Sequence, residues 1–85
     1  MVTQDIILKN EAGLHARPAT EIAKNASKYS CDIKLSVRGT EYNAKSVIHI
    51  MSAGIKNNTQ IKIICDGVDE EQALAEIEEL FEKLP

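Results

Sequence analysis

The order in which two kinds of apolar segment follow one another constrains the fold of this chain more than any other feature. Segments that are short and β-branched, or that alternate apolar with polar residues, are typical of strands, whereas apolar residues recurring every three or four positions are typical of helices. Strands are predicted at residues 5–9, 32–37, 40–44 and 60–65, and helices at about 18–28, 46–54 and 69–84. The order β-α-β-β-α-β-α predicts an α+β protein, a two-layer sandwich of a four-stranded sheet with helices on one side.

The start of the first helix is limited by Pro18, because proline is tolerated in the first turn, where its missing N–H is not needed. Propensity alone makes Pro18 the first helical residue with Arg17 as its cap, and a start one or two residues earlier is equally compatible. The buried face of this helix is predicted to consist of Ala16, Ala19, Ile22, Ala23 and Ala26.

The two later helices carry their own start and stop signals. Ser46 is a preferred cap for the second helix, which Gly54 ends after about two turns. Asp69 and Gln72 form a capping-box pattern before the third helix. The buried stripe of the third helix is predicted to be Ala73, Leu74, Ile77, Leu80, Phe81 and Leu84.

The composition indicates one small globular domain, residues 1–85. The hydrophobic fraction of 44% and the charged fraction of 27% are ordinary for a soluble protein. No apolar run approaches the roughly 20 residues that span a bilayer. The first ten residues lack the basic start and apolar stretch of a signal peptide. We therefore expect a cytoplasmic protein that does not insert into a membrane.

The charge balance argues against direct binding to nucleic acid, because the net charge is −3 and nucleic-acid binders are normally basic. The charge is unevenly spread. Residues 1–45 carry seven Lys or Arg against five Asp or Glu, whereas residues 46–85 carry three against eight. The acidic residues of the last helix are most simply a solvated face.

Cys31 and Cys65 stand far apart in the sequence and match no metal-binding spacing. We expect both to behave as small buried hydrophobic residues, and a cytoplasmic location disfavours a disulfide. No metal ligand set and no cofactor motif is found.

The stretch His15-Ala16-Arg17-Pro18 concentrates unusual chemistry at a helix start. The first amide hydrogens of a helix lack partners and the helix dipole is positive there, so Arg17 adds charge where the dipole already disfavours it. The same surroundings favour a neutral, nucleophilic imidazole at His15. A phosphoryl group joined to that ring would find the amides and Arg17 ready to receive its oxygens. The simpler alternative is an exposed loop histidine beside a solvated arginine.

The second helix offers a second candidate region. Ser46 is most simply a helix cap, although a phosphate on it would sit where a helix tolerates negative charge. This helix is too short to bury every side, so part of its apolar cluster could form an exposed docking patch, with core packing as the alternative. The apolar cluster consists of Val47, Ile48, Ile50 and Met51.

At GLHARPAT (13–20) and NAKSVIHIMSAGI (43–55) the sequence closely resembles the histidine-containing phosphocarrier (HPr) family of the bacterial phosphoenolpyruvate-dependent sugar phosphotransferase system (PTS). The likeness extends over essentially all 85 residues. It implies an HPr-like domain folded as an open-faced β-sandwich, with an antiparallel sheet of strand order 1-4-2-3 and three helices over one face.

The resemblance also implies a function in phosphoryl relay. His15 would accept a phosphoryl group on Nδ1 from phosphorylated Enzyme I and pass it to sugar-specific A components, with Arg17 stabilising the phosphate. Such a protein is a stoichiometric carrier and not an enzyme, and it uses no cofactor. Ser46 matches the serine that an ATP-dependent kinase/phosphorylase modifies in many Gram-positive bacteria, which recruits a catabolite regulator. The family's docking patch corresponds to Val47, Ile48 and Met51, with Thr20, Lys24 and Lys45 near its edge.

Two positions depart from the family pattern, and two other functions compete with the carrier. His49 stands where a glycine is usual, beside the docking patch, and Ala53 where a larger aliphatic residue is common. One competing function is a regulatory paralogue that acts through phospho-Ser46 on a transcriptional regulator. The other is an anion- or nucleotide-binding domain, for which no base or ribose pocket can be identified.

Overall fold

The structure, a computed structural model, describes residues 1–84. The order of its elements matches the predicted order. The elements are β1 (Val2–Ile7), α1 (Ala16–Ala26), β2 (Asp32–Val37), β3 (Thr40–Asn43), α2 (Val47–Ser52), β4 (Gln60–Asp66) and α3 (Glu70–Lys83).

The four strands form one antiparallel sheet in the order β1-β4-β2-β3. This confirms the expected topology. Strand β4, late in the sequence, lies between β1 and β2, whereas β1 and β3 are the edges. The α3 helix packs on β1 and β4, α2 packs on β3, and α1 contacts both other helices.

The two central strands supply the middle of the core because their side chains alternate between the two faces of the sheet. The inward side chains join the apolar faces of the helices in one cluster, and the outward ones are mostly exposed. The inward side chains of β2 and β4, each at most 1% exposed, are Ile33, Leu35, Val37, Ile61, Ile63 and Cys65.

The first strand differs from the prediction of a buried strand at residues 5–9. Strand β1 spans Val2–Ile7 and is an edge strand that pairs only with β4. Ile6 faces Ile61 and is half-buried, whereas its neighbour Ile7 points to the other face and is 53% exposed. The consecutive apolar residues predicted a strand buried on both faces, whereas in the edge strand β1 Ile7 remains exposed.

Helix α1 begins at Ala16, two residues before Pro18, and His15 is its N-cap. The assignment of Pro18 as first residue and Arg17 as cap is therefore wrong, and the earlier start is correct. Pro18 is the third helical residue, where no intrahelical N–H bond is needed. The earlier start changes the buried face, because Pro18 is buried where Ala16 was expected and Ala16 is exposed.

The start of α3 also differs from the prediction. Asp69 is the N-cap, but its side chain makes no capping bond, so the proposed box with Gln72 does not form. Its carboxylate instead accepts from the N–H groups of Ser30 and Cys31, both at 2.9 Å. These bonds, that of Ser30 foremost, hold the pKa of Asp69 below its usual range. Asp69 therefore links the start of α3 by hydrogen bonds to the two residues that precede β2.

The two cysteines are free thiols buried in the core, as expected. Burial raises the pKa of both, that of Cys31 to about 11. Gly67 packs closely against Cys31, since a Cβ at residue 67 would lie 2.6 Å from Cys31 Cα.

Candidate functional site

His15 occupies the N-cap of α1 with an extended backbone, at φ −89° and ψ −168°. Its carbonyl accepts from the Ala19 N–H at 3.0 Å, so His15 caps the helix through its backbone and not through its side chain. The side chain makes no capping bond and is exposed. The imidazole is therefore held at the helix start by its own backbone and presented to solvent.

The start of α1 carries positive charge that no residue of its first turn offsets. The first turn contains no acidic residue and includes Arg17. Pro18 has no N–H, and the Ala19 N–H is bonded to His15, so the amides of Ala16 and Arg17 are the ones left for a ligand. An exposed imidazole, two free amides and a guanidinium together favour an anion at this point.

The loop before His15 is packed closely against the segment that follows α2. Gly13 has φ +72°, and a Cβ at this position would lie 2.9 Å from the carbonyl oxygen of Ile55. The next residue, Leu14, donates its N–H to the same oxygen at 2.8 Å. Only glycine combines this positive φ with so close an approach, so residue 13 fixes the path of the chain into His15.

The predicted edge residues on α1 are exposed. Arg17, Thr20 and Lys24 lie on the solvent side of the helix, and the Thr20 hydroxyl donates to the Ala16 carbonyl at 2.7 Å. Arg17 and Lys24 are seven positions apart, which places them on one face two turns apart. This face of α1 therefore carries a net positive charge, with the exposed Glu21 between the two cations.

Lys45 is placed differently from a free surface cation. It is half-buried, and its ammonium donates to the Tyr29 carbonyl at 2.8 Å, just beyond the end of α1. This bond joins the chain before α2 to the chain after α1.

Ser46 is the N-cap of α2, as the sequence predicts. Its Oγ accepts from the His49 N–H at 3.2 Å. The helix that follows exposes 82% of Ile48 and 45% of Met51, while Val47 is half-buried and Ile50 is in the core. Ile48 and Met51 therefore form an exposed apolar surface beside Ser46, and α2 contacts α1, which carries His15.

His49 has contacts that the sequence did not reveal. Its Nδ1 accepts from the Asn43 N–H at 2.9 Å, and its ring meets that of Tyr42 edge-on, with centroids 5.1 Å apart. These contacts depend on the position of α2 over β3, so no local pattern could have indicated them. Unlike the ring of His15, the ring of His49 is engaged in the fold.

Arg38 is a second residue that sequence reasoning treated only as part of a turn. It has φ +52°, and its Nη2 donates to the Ala53 carbonyl at 2.6 Å, at the C-cap of α2. A cation at a helix C-terminus offsets the negative end of the dipole. The one available signal was the arginine at a turn position that favours asparagine or glycine.

Within residues 1–84, no group of three or more His, Cys, Asp or Glu side chains is arranged to hold a metal ion. The helices described over that range are all too short or too polar to cross a membrane.

Comparison with known proteins connects this geometry to one family. The family model described as "PTS HPr component phosphorylation site" matches residues 2–83. The chain is 47% identical over 78 residues to a phosphocarrier protein HPr of Mycoplasma genitalium, covering 91% of this chain and 89% of that protein.

Solved structures give the same result. A histidine-containing phosphocarrier protein of Mycoplasma superposes with a TM-score of 0.90 at 38% identity, covering 93% of this chain and 90% of that one. Crh, a catabolite repression protein of Bacillus subtilis, is similar over 100% of this chain and 98% of its own, with a TM-score of 0.80 and 30% identity.

Proposed function

Since this chain belongs to the HPr family of PTS phosphocarriers, we propose that it accepts a phosphoryl group on His15 from phosphorylated Enzyme I and passes it to sugar-specific A components. The observation that carries the proposal is the exposed His15 ring, free of capping bonds, at a helix start with no acidic residue in its first turn. We further propose that it acts in the cytoplasm as a stoichiometric carrier and not as a catalyst.

The transfer step uses the Nδ1 lone pair of His15. A bond forms between this nitrogen and the phosphorus as the bond between the phosphorus and Enzyme I breaks. Ala16 and Arg17 follow His15 directly in the first turn of α1, and their amides, together with the Arg17 guanidinium, suit the phosphoryl oxygens. Because the family relay then runs onward, the same surroundings must release the group to the next acceptor.

The partner surface in this proposal is α2 together with the exposed face of α1. Ile48 and Met51 supply apolar area that is removed from water on docking, and Val47 supports them from a half-buried position. Arg17 and Lys24 suit partners with acidic surfaces, to which opposite charge speeds association. Thr20 and Lys45 lie at the edge of this surface in the proposal.

Intact mass after incubation with phosphoenolpyruvate and catalytic Enzyme I tests the proposal. We expect the chain to gain one phosphoryl mass that mild acid removes, which is the behaviour of a phosphohistidine. His15→Ala should show no gain. The chain has only two histidines, so His49→Ala is a matched control and should be phosphorylated as the wild type is. Phosphorylation of His15→Ala would refute the site, and no gain in the wild type would refute the carrier role.

Regulation through Ser46 is a second element of the proposal. Ser46 caps α2 beside Ile48 and Met51, so a phosphate there would add charge to the docking surface. The likeness to Crh favours, as the second candidate function, a regulatory protein that acts through phospho-Ser46 on a transcriptional regulator. Phosphorylation by a serine kinase/phosphorylase, in a chain that Enzyme I fails to phosphorylate, would favour this candidate over the carrier.

A further inference from the structure

Asn10 is the one buried polar residue among residues 1–84, at 5% exposed. It lies in the loop between β1 and α1, five residues before His15. The sequence marked this region only as a loop. A polar side chain is rarely buried without a hydrogen-bonding reason, so the contacts of Asn10 require an explanation.

The hydrogen bonds of Asn10 organise the loop. Its Oδ1 accepts from the Ala12 N–H at 3.1 Å, and its carbonyl accepts from the Gly13 N–H at 2.9 Å. These two bonds close two overlapping turns that both begin at Asn10, one ending at Ala12 and the other at Gly13. Its own N–H donates to Oδ1 of Asn57 at 3.0 Å, which joins this turn to the loop between α2 and β4.

The turn made by Asn10 leads directly into the packed segment that carries His15. Gly13 lies against the carbonyl of Ile55, and Leu14 is bonded to that carbonyl. The chain between Asn10 and Leu14 is thus fastened at both of its ends to residues 55–57. His15 follows immediately, with a backbone that is fixed as the cap of α1.

Burying the Asn10 side chain costs free energy, which its hydrogen bonds in the loop offset. Its Nδ2 is buried and makes no hydrogen bond within residues 1–84. An apolar residue here would avoid that penalty but would leave the Ala12 N–H without its partner. The accepting Oδ1, and not the donating Nδ2, is therefore the group for which asparagine is useful at this position.

We infer that Asn10, held by Asn57, is a positioning residue for phosphoryl transfer: it fixes the loop that aims the His15 ring between the free amides of α1 and the incoming phosphorus. Asn10 itself does not touch the reacting atoms. The inference rests on the proposed function of His15. It predicts an effect on the transfer step and not on docking, because the proposed docking residues lie on α1, on α2 and at Lys45, outside the loop that Asn10 organises. Displacing a reacting group by about 1 Å can cost up to about a hundredfold in rate.

The test is the kinetics of phosphoryl transfer from Enzyme I, with kcat and KM for this chain measured separately. We expect Asn10→Ala to lower kcat about tenfold with KM changed less than about twofold. Asn10→Ser should recover most of kcat, because a serine hydroxyl accepts from the N–H two residues on, though more weakly. Asn25→Ala is a matched control: the Asn25 side chain donates to the Glu21 carbonyl within α1 at 2.8 Å, and its replacement should leave both constants unchanged.

The possible results separate this inference from the proposed function. If the wild type accepts no phosphoryl group, the proposed function fails. If the wild type is active and Asn10→Ala keeps its kcat, or raises KM alone, the positioning role is refuted while the carrier role stands. Should Asn10→Ala fail to fold, Asn57→Ala decides: we expect a loss of about threefold in kcat, and an unchanged kcat would overturn the inference.

Discussion

At the scale of single residues, Ser46 allows the effect of charge to be separated from the effect of helix capping. Aspartate and asparagine are as good N-caps as serine, so either should keep the bond to the His49 N–H and leave α2 intact. Ser46→Asp adds a negative charge beside Ile48 and Met51, which an acidic partner surface would repel. We therefore expect Ser46→Asp to lower kcat/KM for transfer from Enzyme I about tenfold at low salt.

Ser46→Asn is the control for this experiment, because it matches aspartate in size and capping but carries no charge. It should transfer at nearly the wild-type rate. Equal kcat/KM values for the two variants would show that a negative charge at residue 46 does not slow transfer, which would refute regulation through charge at this position. Circular dichroism of both variants would verify that α2 persists.

Residue-scale features were predictable where they depend on local sequence. Ser46 as a cap follows from its own neighbours, and its bond to His49 spans three residues. The long-range partners of Asn10, Arg38 and Lys45 were not predictable, because each of these bonds joins segments that only the finished fold brings together. The Asn10 bond to Asn57, for example, spans 47 residues.

At the scale of elements, Tyr29 and Glu76 join the end of α1 to α3. The Tyr29 hydroxyl donates to Glu76 Oε1 at 2.6 Å, and Lys28 pairs with Oε2 of the same carboxylate at 3.0 Å. The bond from Tyr29, and then that from Lys28, lowers the pKa of Glu76. The carboxylate in turn raises the pKa of Tyr29 to about 12.

These shifts predict how the stability contributed by Tyr29 varies with pH. Because the pKa of Glu76 is lowered in the folded protein, the ionised carboxylate contributes to the free energy of unfolding above the usual carboxyl pKa of about 4.3. That contribution is lost as the pH falls through the pKa of Glu76 in the folded protein. Because the pKa of Tyr29 is raised, its protonated hydroxyl contributes to the free energy of unfolding in full below about pH 10. That contribution is lost as the pH rises through about 12. Tyr29→Phe should lower the unfolding free energy by about 1 kcal/mol at neutral pH.

Urea denaturation of the wild type and Tyr29→Phe between pH 3 and pH 11 is the measurement. The difference in unfolding free energy should be widest at intermediate pH and should narrow towards both ends of the range. A difference that does not vary with pH would contradict a contribution from the hydrogen bond between the Tyr29 hydroxyl and the ionised Glu76 carboxylate.

Element type and order were predictable from periodicity, because the alternation in β2 and β4 and the stripe of α3 are local patterns. The exact residues at which the helices and strands begin were less predictable. The start of α1 at Ala16 depends on the His15 backbone acting as cap, which a propensity for capping side chains does not indicate. The exposure of Ile7 depends on the edge position of β1, which is a property of the assembled sheet.

At the scale of the whole molecule, the strand order predicts a gradient of local stability. Strands β4 and β2 are hydrogen-bonded on both sides, whereas β1 and β3 have one neighbour each. We expect the amides of β4 and β2 to exchange with solvent only through global unfolding, and those of β1 and β3 to exchange faster through local opening. Native-state hydrogen exchange followed by NMR measures this directly. Protection in β3 as high as in β4 would contradict the expected gradient.

The central position of β4 also has a consequence for how the chain folds as it is synthesised. Strand β4 joins β1 to the hairpin of β2 and β3, yet it begins only at Gln60. While the ribosome is still adding the residues before Gln60, the first strand and the hairpin have no partner that could unite them. We expect the nascent chain to hold at most its helices and the hairpin, and the sheet to form in one step once β4 has emerged. Until then the inward apolar side chains of β2 remain uncovered, which makes the interval before β4 emerges the time when this chain is most exposed to aggregation.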